Sequence, residues 1–341
     1  MNHQEIRTKA RELLKPFCRV CPECNGVACR GEVPGMGGKG TGRAFMNNYD
    51  AIKKISLNMK VVHGVKDPDL SCQIFGETMS LPVIAAPMTG TQYNMGGKMT
   101  EPEFIRELIE GCHLANILPS LGDGETKNLL MEGIHTLNEL NHKGLVFIKP
   151  WLNEELKSRM SMLNPELTPA FGTDLDGCGL VFMNKNGMGV YPKSEAEIRE
   201  IKKASRMPFI IKGIMTVEDA IACYKAGADA IVVSNHGGRV LDCARGTAEV
   251  LPEIASKLKG KLTILVDGGI RDGVDVFKML ALGADAVLIG RPFVTYAFGG
   301  GRDGVALYVE KLRAELKSTM LLTGAANLKE ITSEKIHLHN N

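Results

Sequence analysis

The chain has few aromatic residues, no long apolar run and no excess of one charge, and each absence excludes a class of protein. Aromatic residues make up 5% of the 341 residues and only one is Trp, which argues against a surface that stacks nucleic-acid bases. No apolar run reaches the length of a membrane-spanning helix. The net charge of +2 provides little attraction to nucleic acid or anionic lipid. The sequence therefore predicts no nucleic-acid partner and no membrane partner.

The amino-terminal sequence MNHQEIRTKARELLKPF is charged and lacks the apolar core of a secretory signal. A cytoplasmic protein is the resulting expectation. In that compartment the nine cysteines are expected to be thiols or metal ligands rather than a disulfide framework.

Four of the cysteines are clustered near the amino terminus with the spacing C-x2-C-x2-C-x4-C. They are Cys18, Cys21, Cys24 and Cys29. Thiolates at this spacing can converge on one site and suit Zn²⁺ or an iron–sulfur cluster, and the spacing alone does not choose between them. The alternative is a set of reduced thiols in a turn-rich loop.

Residues 31–43, GEVPGMGGKGTGR, are dense in glycine. Glycine lets the backbone approach a ligand closely, so this segment is either a loop over a cofactor or substrate or a flexible connector.

Short apolar runs alternate with helical segments through the rest of the chain. The runs are LPVIAAP, NILPSLG, GLVFIKP, a fourth within PAFGTDLDG or GLVFMN, then PFIIKG, AIVVSN, LTILVDG and AVLIG. Two phrases, AGADAIVVSN and LGADAVLIGR, are near copies and indicate a repeated strand–helix unit. Eight such units predict a (β/α)8 TIM barrel with an N-terminal extension. A doubly wound open sheet is the alternative, disfavoured because no GxGxxG follows the first strand.

This pattern divides the chain into an extension with the Cys cluster and the Gly-rich loop (1–80), the barrel (81–322) and a tail (323–341). A helix is predicted over 305–322. The final segment, SEKIHLHNN, is expected to be loosely ordered.

Polar side chains follow the predicted strands, and the carboxyl ends of barrel strands meet in one ring where active sites lie. These side chains are Lys149, Asp174, Asp176, Lys212, Ser234, Asn235, His236, Arg239, Asp267, Arg271 and Arg291. Glycine-rich loops with an arginine follow the last two strands, which favours a phosphate-bearing ligand there. His236 is the candidate acid–base group, because imidazole titrates near neutrality, and Arg239 can bind a carboxylate.

The segments PVIAAPMTG, PFIIKG, SNHGGRVLD and DGGIRDGVDVFKMLALGADAVLIGRPF resemble the FMN-dependent α-hydroxy acid oxidases and dehydrogenases. The similarity is dense over 206–293, weaker over 81–120 and thin over 121–205. It implies an FMN-bearing barrel that oxidises a 2-hydroxy acid, L-lactate-like, to the 2-oxo acid, with O₂ or an electron carrier as oxidant. It also implies a homo-oligomer, a tetramer or an octamer.

The resemblance further implies roles for individual residues. His236 would be the base, Asp176 would orient it, and Arg239 would bind the substrate carboxylate. Lys212 would lie beside the flavin and stabilise its reduced form. The other cofactor-binding positions would be Pro87, Met88, Thr89, Ser120, Lys149, Asp174, Ser234, Asp267, Gly269, Arg271, Gly290 and Arg291.

The chain also departs from the family pattern. It lacks the Tyr-rich amino-terminal segment and a second substrate arginine after strand four, and it has Lys149 and Trp151 where the family has Gln and Tyr. Lys185 and Lys149 are the candidates to replace the missing arginine. Two alternative functions therefore stay open: an FMN barrel for another substrate class, such as a phosphorylated or isoprenoid-like compound, and a flavin or metal redox module with little turnover.

Overall fold

Eight parallel strands close into a barrel in this computed structural model, which describes residues 1–181, 183 and 189–339. The barrel strands, named β4 to β11, are Val83–Ala85, Leu118–Gly122, Leu145–Ile148, Phe171–Asp174, Phe209–Ile214, Ala230–Val233, Thr263–Val266 and Ala286–Ile289. Strand β11 pairs with β4 and completes the ring. The predicted (β/α)8 barrel is confirmed, and the open-sheet alternative is wrong.

The fourth barrel strand lies in PAFGTDLDG, at Phe171–Asp174, rather than in GLVFMN. Its register pairs Asp174 with Lys212 on the next strand. The strand ends directly before a short 3₁₀ turn, Leu175–Gly179, which carries Asp176. Two acidic side chains are therefore placed at the end of this strand.

The barrel strands are buried on both faces, as parallel strands covered by helices must be. One set of side chains fills the barrel interior, for example Ile84, Phe147, Ile210 and Leu288. The alternate positions, such as Val83, pack outward against the helices. A hairpin of β2 (Cys72–Ile74) and β3 (Glu77–Met79) packs against the interior set.

Helices α1 to α11 surround this core. They span His3–Leu14, Arg43–Lys53, Thr91–Asn94, Glu101–Leu114, Lys127–Leu140, Asn153–Met160, Glu195–Ala204, Val217–Lys225, Thr247–Leu258, Gly273–Ala281 and Arg291–Thr323. Further 3₁₀ turns lie at His236–Gly238, Leu328–Glu330 and Ser333–Lys335. Capping boxes begin three of the helices, at Asn2, Thr100 and Ser194, and satisfy their free backbone N–H groups.

Helix α11 extends the predicted 305–322 helix back to Arg291 through a break at Gly301, whose φ is 59°. It packs against α1 through buried side chains that include Ile6, Ala10 and Leu14. The amino-terminal helix is thereby fixed to the barrel.

The expectation of a loosely ordered end is wrong for residues 333–338. Strand β12 (Ile336–Leu338) pairs antiparallel with β1 (Ile55–Leu57). The side chain of Asn58 also donates to the backbone oxygens of Glu334 and Ile336. These ladder and side-chain hydrogen bonds order the segment. No helix in the described part of the chain combines the length and apolar character needed to cross a bilayer.

Candidate active site

A cavity lies at the carboxyl ends of the barrel strands, where the loops from successive strands meet. Of the residues predicted for the site, it is lined by Pro87, Met88, Thr89, Lys149, Lys212, His236, Arg239, Asp267, Gly269, Arg271, Gly290 and Arg291. The closed barrel brings these residues together although they are distant in sequence.

His236 stands at the start of the short 3₁₀ turn after β9, with a backbone φ of 56°. A left-handed conformation is uncommon for a side-chain-bearing residue and often marks a functional position. The backbone N–H of His236 donates to Ser234 Oγ at 3.1 Å. Its Nδ1 lies 3.1 Å from Asp176 Oδ1 and 3.8 Å from Asp174 Oδ2. Both carboxylates of the fourth strand end thus face the imidazole.

The charges around His236 set its protonation. Burial and the nearby Lys212 ammonium lower the pKa of His236 below its ordinary value, although Asp176 opposes this. Burial alone would raise the pKa of Asp176, but Lys212 and His236 hold it at about 2. At neutral pH the pair is therefore a neutral imidazole beside an ionised carboxylate, which suits a general base.

Lys212 is buried within β8, where its Nζ lies 3.5 Å from Asp267 Oδ2. Burial would lower the pKa of Lys212, but Asp176, Asp267 and Asp174 together raise it above its ordinary value. The ammonium stays charged and faces the cavity. The alternative of a purely structural buried ion pair does not account for its position on the cavity wall.

A β-bulge between Lys212 and Ile214 lets Asp176 approach the strand. Gly213, at the bulge, has a φ of 99°, and a Cβ there would lie 2.7 Å from Asp176 Cβ. Lys149 forms a second ion pair at this strand end, with its Nζ 2.5 Å from Asp174 Oδ2. Two lysines and three aspartates therefore form one cluster of charges beside His236: Lys149, Lys212, Asp174, Asp176 and Asp267.

Arg239 is half-buried and bonds to polar groups of the amino-terminal half of the chain. Its guanidinium donates to the Gly35 carbonyl and, at 2.9 Å, to Asn94 Oδ1. Burial and the charge of Arg291 lower the pKa of Arg239 to about 10. A second cation close by and partial desolvation make this guanidinium a strong site for an anion.

The Gly-rich segment lies over the cavity, which favours the interpretation as a ligand-covering loop over that of a connector. Val33 and Pro34 line the cavity. Arg291 donates to the carbonyls of Met36 and Gly37, at 2.8 and 3.2 Å. These bonds hold the loop on the barrel.

The residues of this cavity fit FMN. On the cavity wall, a buried oxygen of Asp267 and Nη2 of Arg271 have no hydrogen-bond partner among the described residues. Unsatisfied buried polar groups are costly, so their grouping at one strand-end ring indicates a polar ligand. Gly268 and Gly269 add backbone with positive φ on the same wall, beside Arg271. Donors and cations of this kind suit a phosphate and a ribityl chain.

Three predicted cofactor-binding residues, Ser234, Ser120 and Asp174, are not on the cavity wall. Ser234 lies behind it and donates to Asp267 Oδ2 at 2.8 Å. Ser120 is fully buried in β5, and its Oγ has no hydrogen-bond partner among the described residues. Asp174 and Asp176 also lie behind the wall. Asp174 pairs with Lys149 on the wall, and Asp176 pairs with His236. Lys185, a candidate replacement for the missing arginine, lies outside the described residues.

Sequence reasoning missed three residues of the site. Asp123 follows β5 and accepts hydrogen bonds from Trp151 Nε1 and Arg159 Nη1, both at 2.7 Å. Tyr93 and Asn94 line the cavity from α3. The signal for Asp123 was available, because it directly follows an apolar run at a strand end.

The four clustered cysteines lie away from this cavity and line a second one. Among the described residues, one group of three or more His, Cys, Asp or Glu side chains has its ligand atoms within 4.8 Å of one another. That group is Asp174, Asp176 and His236. The cysteines are therefore not arranged as a compact mononuclear metal site.

A closed barrel with a His–Asp pair and a cationic, glycine-lined cavity at its strand ends defines a flavin-dependent oxidoreductase site. Comparison with known proteins agrees. The sequence profile of the FMN-dependent dehydrogenases matches residues 35–131 and 182–338. The chain belongs to this family of FMN-dependent enzymes.

The chain is similar to characterised relatives over most of its length. A peroxisomal (S)-2-hydroxyacid oxidase from Arabidopsis thaliana is 28% identical over 89% of this chain and 91% of the relative. An L-lactate dehydrogenase from Pseudomonas putida (strain GB-1) is 31% identical over 88% and 92%. A solved structure of mandelate oxidase with benzoyl-formic acid has a TM-score of 0.77 and 25% identity, covering 98% of this chain and 97% of the other.

Proposed function

We propose that the protein oxidises a 2-hydroxy acid to the 2-oxo acid at this cavity, with FMN as the cofactor. The observation that carries the proposal is the His236–Asp176 pair, 3.1 Å apart, on the same cavity as Arg239 and Lys212. A base, a carboxylate-binding cation and a charged lysine are what this reaction requires. The relatives named oxidases and dehydrogenases of hydroxy acids support the same reaction.

Each residue has a role in this proposal. Arg239 binds the substrate carboxylate and so orients the hydroxyl-bearing carbon. The imidazole of His236 removes a proton, and Asp176 stabilises the imidazolium that results. FMN, when bound, accepts the hydride equivalent. Lys212 supplies positive charge on the wall where negative charge then develops.

The cofactor would be held by the cavity wall. Pro87, Met88 and Thr89 after β4 would contact the flavin ring, and Lys149 would extend the wall after β6. Asp267, Gly269, Arg271, Gly290 and Arg291 would hold the ribityl chain and the phosphate. Ser234 supports Asp267 from behind the wall in this proposal, through the hydrogen bond that its Oγ donates.

The substrate is proposed to carry a small apolar side group, as L-lactate does. Val33, Pro34, Leu180 and Met183 give the cavity apolar lining, and Tyr93 adds a ring. The cavity thus offers apolar contacts where the family's usual tyrosines are missing.

The test is an anaerobic absorbance spectrum before and after addition of a panel of 2-hydroxy acids. Bleaching of bound flavin by one acid is expected. His236→Ala should bind flavin normally yet lose at least about 100-fold in the rate of bleaching, the contribution typical of a positioned base. A variant that bleaches at the wild-type rate would remove His236 from its role. Comparing the rate of O₂ uptake with the rate of dye reduction identifies the electron acceptor as O₂ or a carrier.

We infer in addition a cytoplasmic homo-oligomer. None of the nine cysteines is in a disulfide, as is usual in a reducing compartment. Met59 and Val62 expose 72% and 88% of their surface on one segment, which favours burial in an assembly. Light scattering of the purified chain should give a tetramer or an octamer, and a monomer would contradict the inference.

A further inference from the structure

The four amino-terminal cysteines face a cavity of about 450 Å³ that is separate from the proposed catalytic one. Cys18, Cys21, Cys24 and Cys29 all line it. We propose that this cavity holds a polynuclear iron–sulfur cluster bound by the four thiolates, and that the cluster carries electrons away from the catalytic cavity.

The spacing of the thiols favours a cluster over a single zinc ion. A tetrahedral Zn²⁺ with Zn–S bonds of about 2.3 Å brings its four sulfurs to within about 4 Å of each other. No three of these thiols have their sulfurs mutually within 4.8 Å. A cluster places several metal atoms and sulfides between the thiolates, so its ligands stand farther apart around a larger volume.

The charge of the cavity also suits a cluster. Four thiolates around iron and sulfide form an anionic group. The cations Arg7, Arg19, Lys53, Arg271, Arg291 and Lys311 line the cavity, against the acidic Glu23 and Asp272. This excess of positive charge would compensate the cluster.

The loop that carries the thiols is held in shape by hydrogen bonds to its backbone. Arg7 Nη2 donates to the Cys21 carbonyl at 2.5 Å, and Arg271 Nε donates to the Cys24 carbonyl at 3.0 Å. The backbone N–H of Val20 points at Cys18 Sγ at 3.4 Å. Hydrogen bonds to ligand sulfurs of this kind tune the potential of iron–sulfur clusters. These contacts hold the thiol-bearing loop against the rest of the chain.

The position of the second cavity, next to the catalytic one, indicates that the cluster carries electrons. Arg271 and Arg291 line both cavities, so one layer of side chains separates them. This role rests on the proposed function. Oxidation of one hydroxy acid to the oxo acid releases two electrons and two protons. The electrons would leave one at a time through the cluster to an external one-electron carrier, two carriers being reduced in each turnover, and the protons would pass to solvent.

The test uses the full chain, expressed with added iron and purified without oxygen. Iron, acid-labile sulfide, zinc and flavin are measured on the same sample. The expected result is roughly two to four iron atoms and as many sulfides per chain, with a paramagnetic signal after reduction by dithionite. Cys21→Ser and Cys24→Ser should lose the iron and the signal. Cys243→Ser, an exposed cysteine outside this cavity, should retain both.

Circular dichroism and flavin content show whether each variant folds. Protein with a full flavin content but no iron and sulfide, or with zinc alone, would overturn the cluster. A hydroxy acid that bleaches the flavin but leaves the cluster oxidised would overturn the electron route. The flavin readout is independent, so failure of the hydroxy acid oxidation would appear as unbleached flavin beside an intact cluster.

Discussion

The imidazole Nδ1 of His236 lies 3.1 Å from Oδ1 of Asp176. Since Asp176 is ionised, it accepts this hydrogen bond and Nδ1 carries the proton of the neutral imidazole. The lone pair is then on Nε2, the atom available as a base. Asp176 thus selects the tautomer as well as the orientation of the ring, which makes it a positioning residue.

Asp176→Asn should reduce turnover on the order of 100-fold or more, because the ring loses its preferred tautomer and the charge that stabilises its protonated form. Asp176 raises the pKa of His236, so its neutralisation should lower that pKa further. A base is active only when unprotonated, and the acid limb of the pH–rate profile should therefore move to lower pH. A lower rate with an unmoved limb would indicate a structural effect instead.

Lys212→Met should move the acid limb of the pH–rate profile to higher pH, opposite to the effect of Asp176→Asn. The Lys212 ammonium lowers the pKa of His236, so its removal should raise that pKa and move the acid limb to higher pH. The variant also leaves Asp176 and Asp267 without their buried cation, and a loss of about 3–5 kcal/mol in the free energy of unfolding is expected. Denaturant unfolding and a pH–rate profile measure the two effects. If the acid limb moved in the same direction in Asp176→Asn and Lys212→Met, the electrostatic account would be contradicted.

Arg239→Met should weaken binding of the substrate carboxylate. A hydrogen bond to a charged group contributes about 1.5–3 kcal/mol, so KM should rise roughly 10- to 150-fold. Asn94 accepts from Arg239 at 2.9 Å without providing charge, and Asn94→Ala is the matched control, with a smaller increase. The amide of the same hydroxy acid has no carboxylate, so its poor turnover should be unaffected by Arg239→Met. An equal loss for acid and amide would show that Arg239 does not recognise the carboxylate.

The barrel was predictable because its strands are short, wholly apolar and bounded by polar or glycine residues. Their carboxyl ends meet by topology alone, so the ring containing Lys149, Lys212 and His236 followed from strand order. Strand four was ambiguous since two apolar runs adjoin Asp174. Only the pairing of Phe171 with Phe209 in the sheet resolves it.

The parts that escaped prediction depend on long-range contacts. Nothing local indicates that Arg291 would bond the carbonyls of the Gly-rich loop some 250 residues earlier, or that Asn94 would meet Arg239. The final strand was missed for the same reason. Residues 336–338 carry a weak apolar pattern of their own and are ordered by β1, which lies at the other end of the chain.

Gly213→Ala should damage the site through Asp176. The residue has a φ of 99°, and its new Cβ would lie 2.7 Å from Asp176 Cβ, so the carboxylate must move from His236 or the bulge must shift. Gly227 is the matched control. Its φ is 94°, but a Cβ there would meet only Lys202 Cγ, at 3.5 Å. Both alanine variants should lose about 1–3 kcal/mol of stability from backbone strain. Only Gly213→Ala should also lose turnover and show the low-pH shift of Asp176→Asn, and equal activity in the two variants would contradict the role given to the bulge.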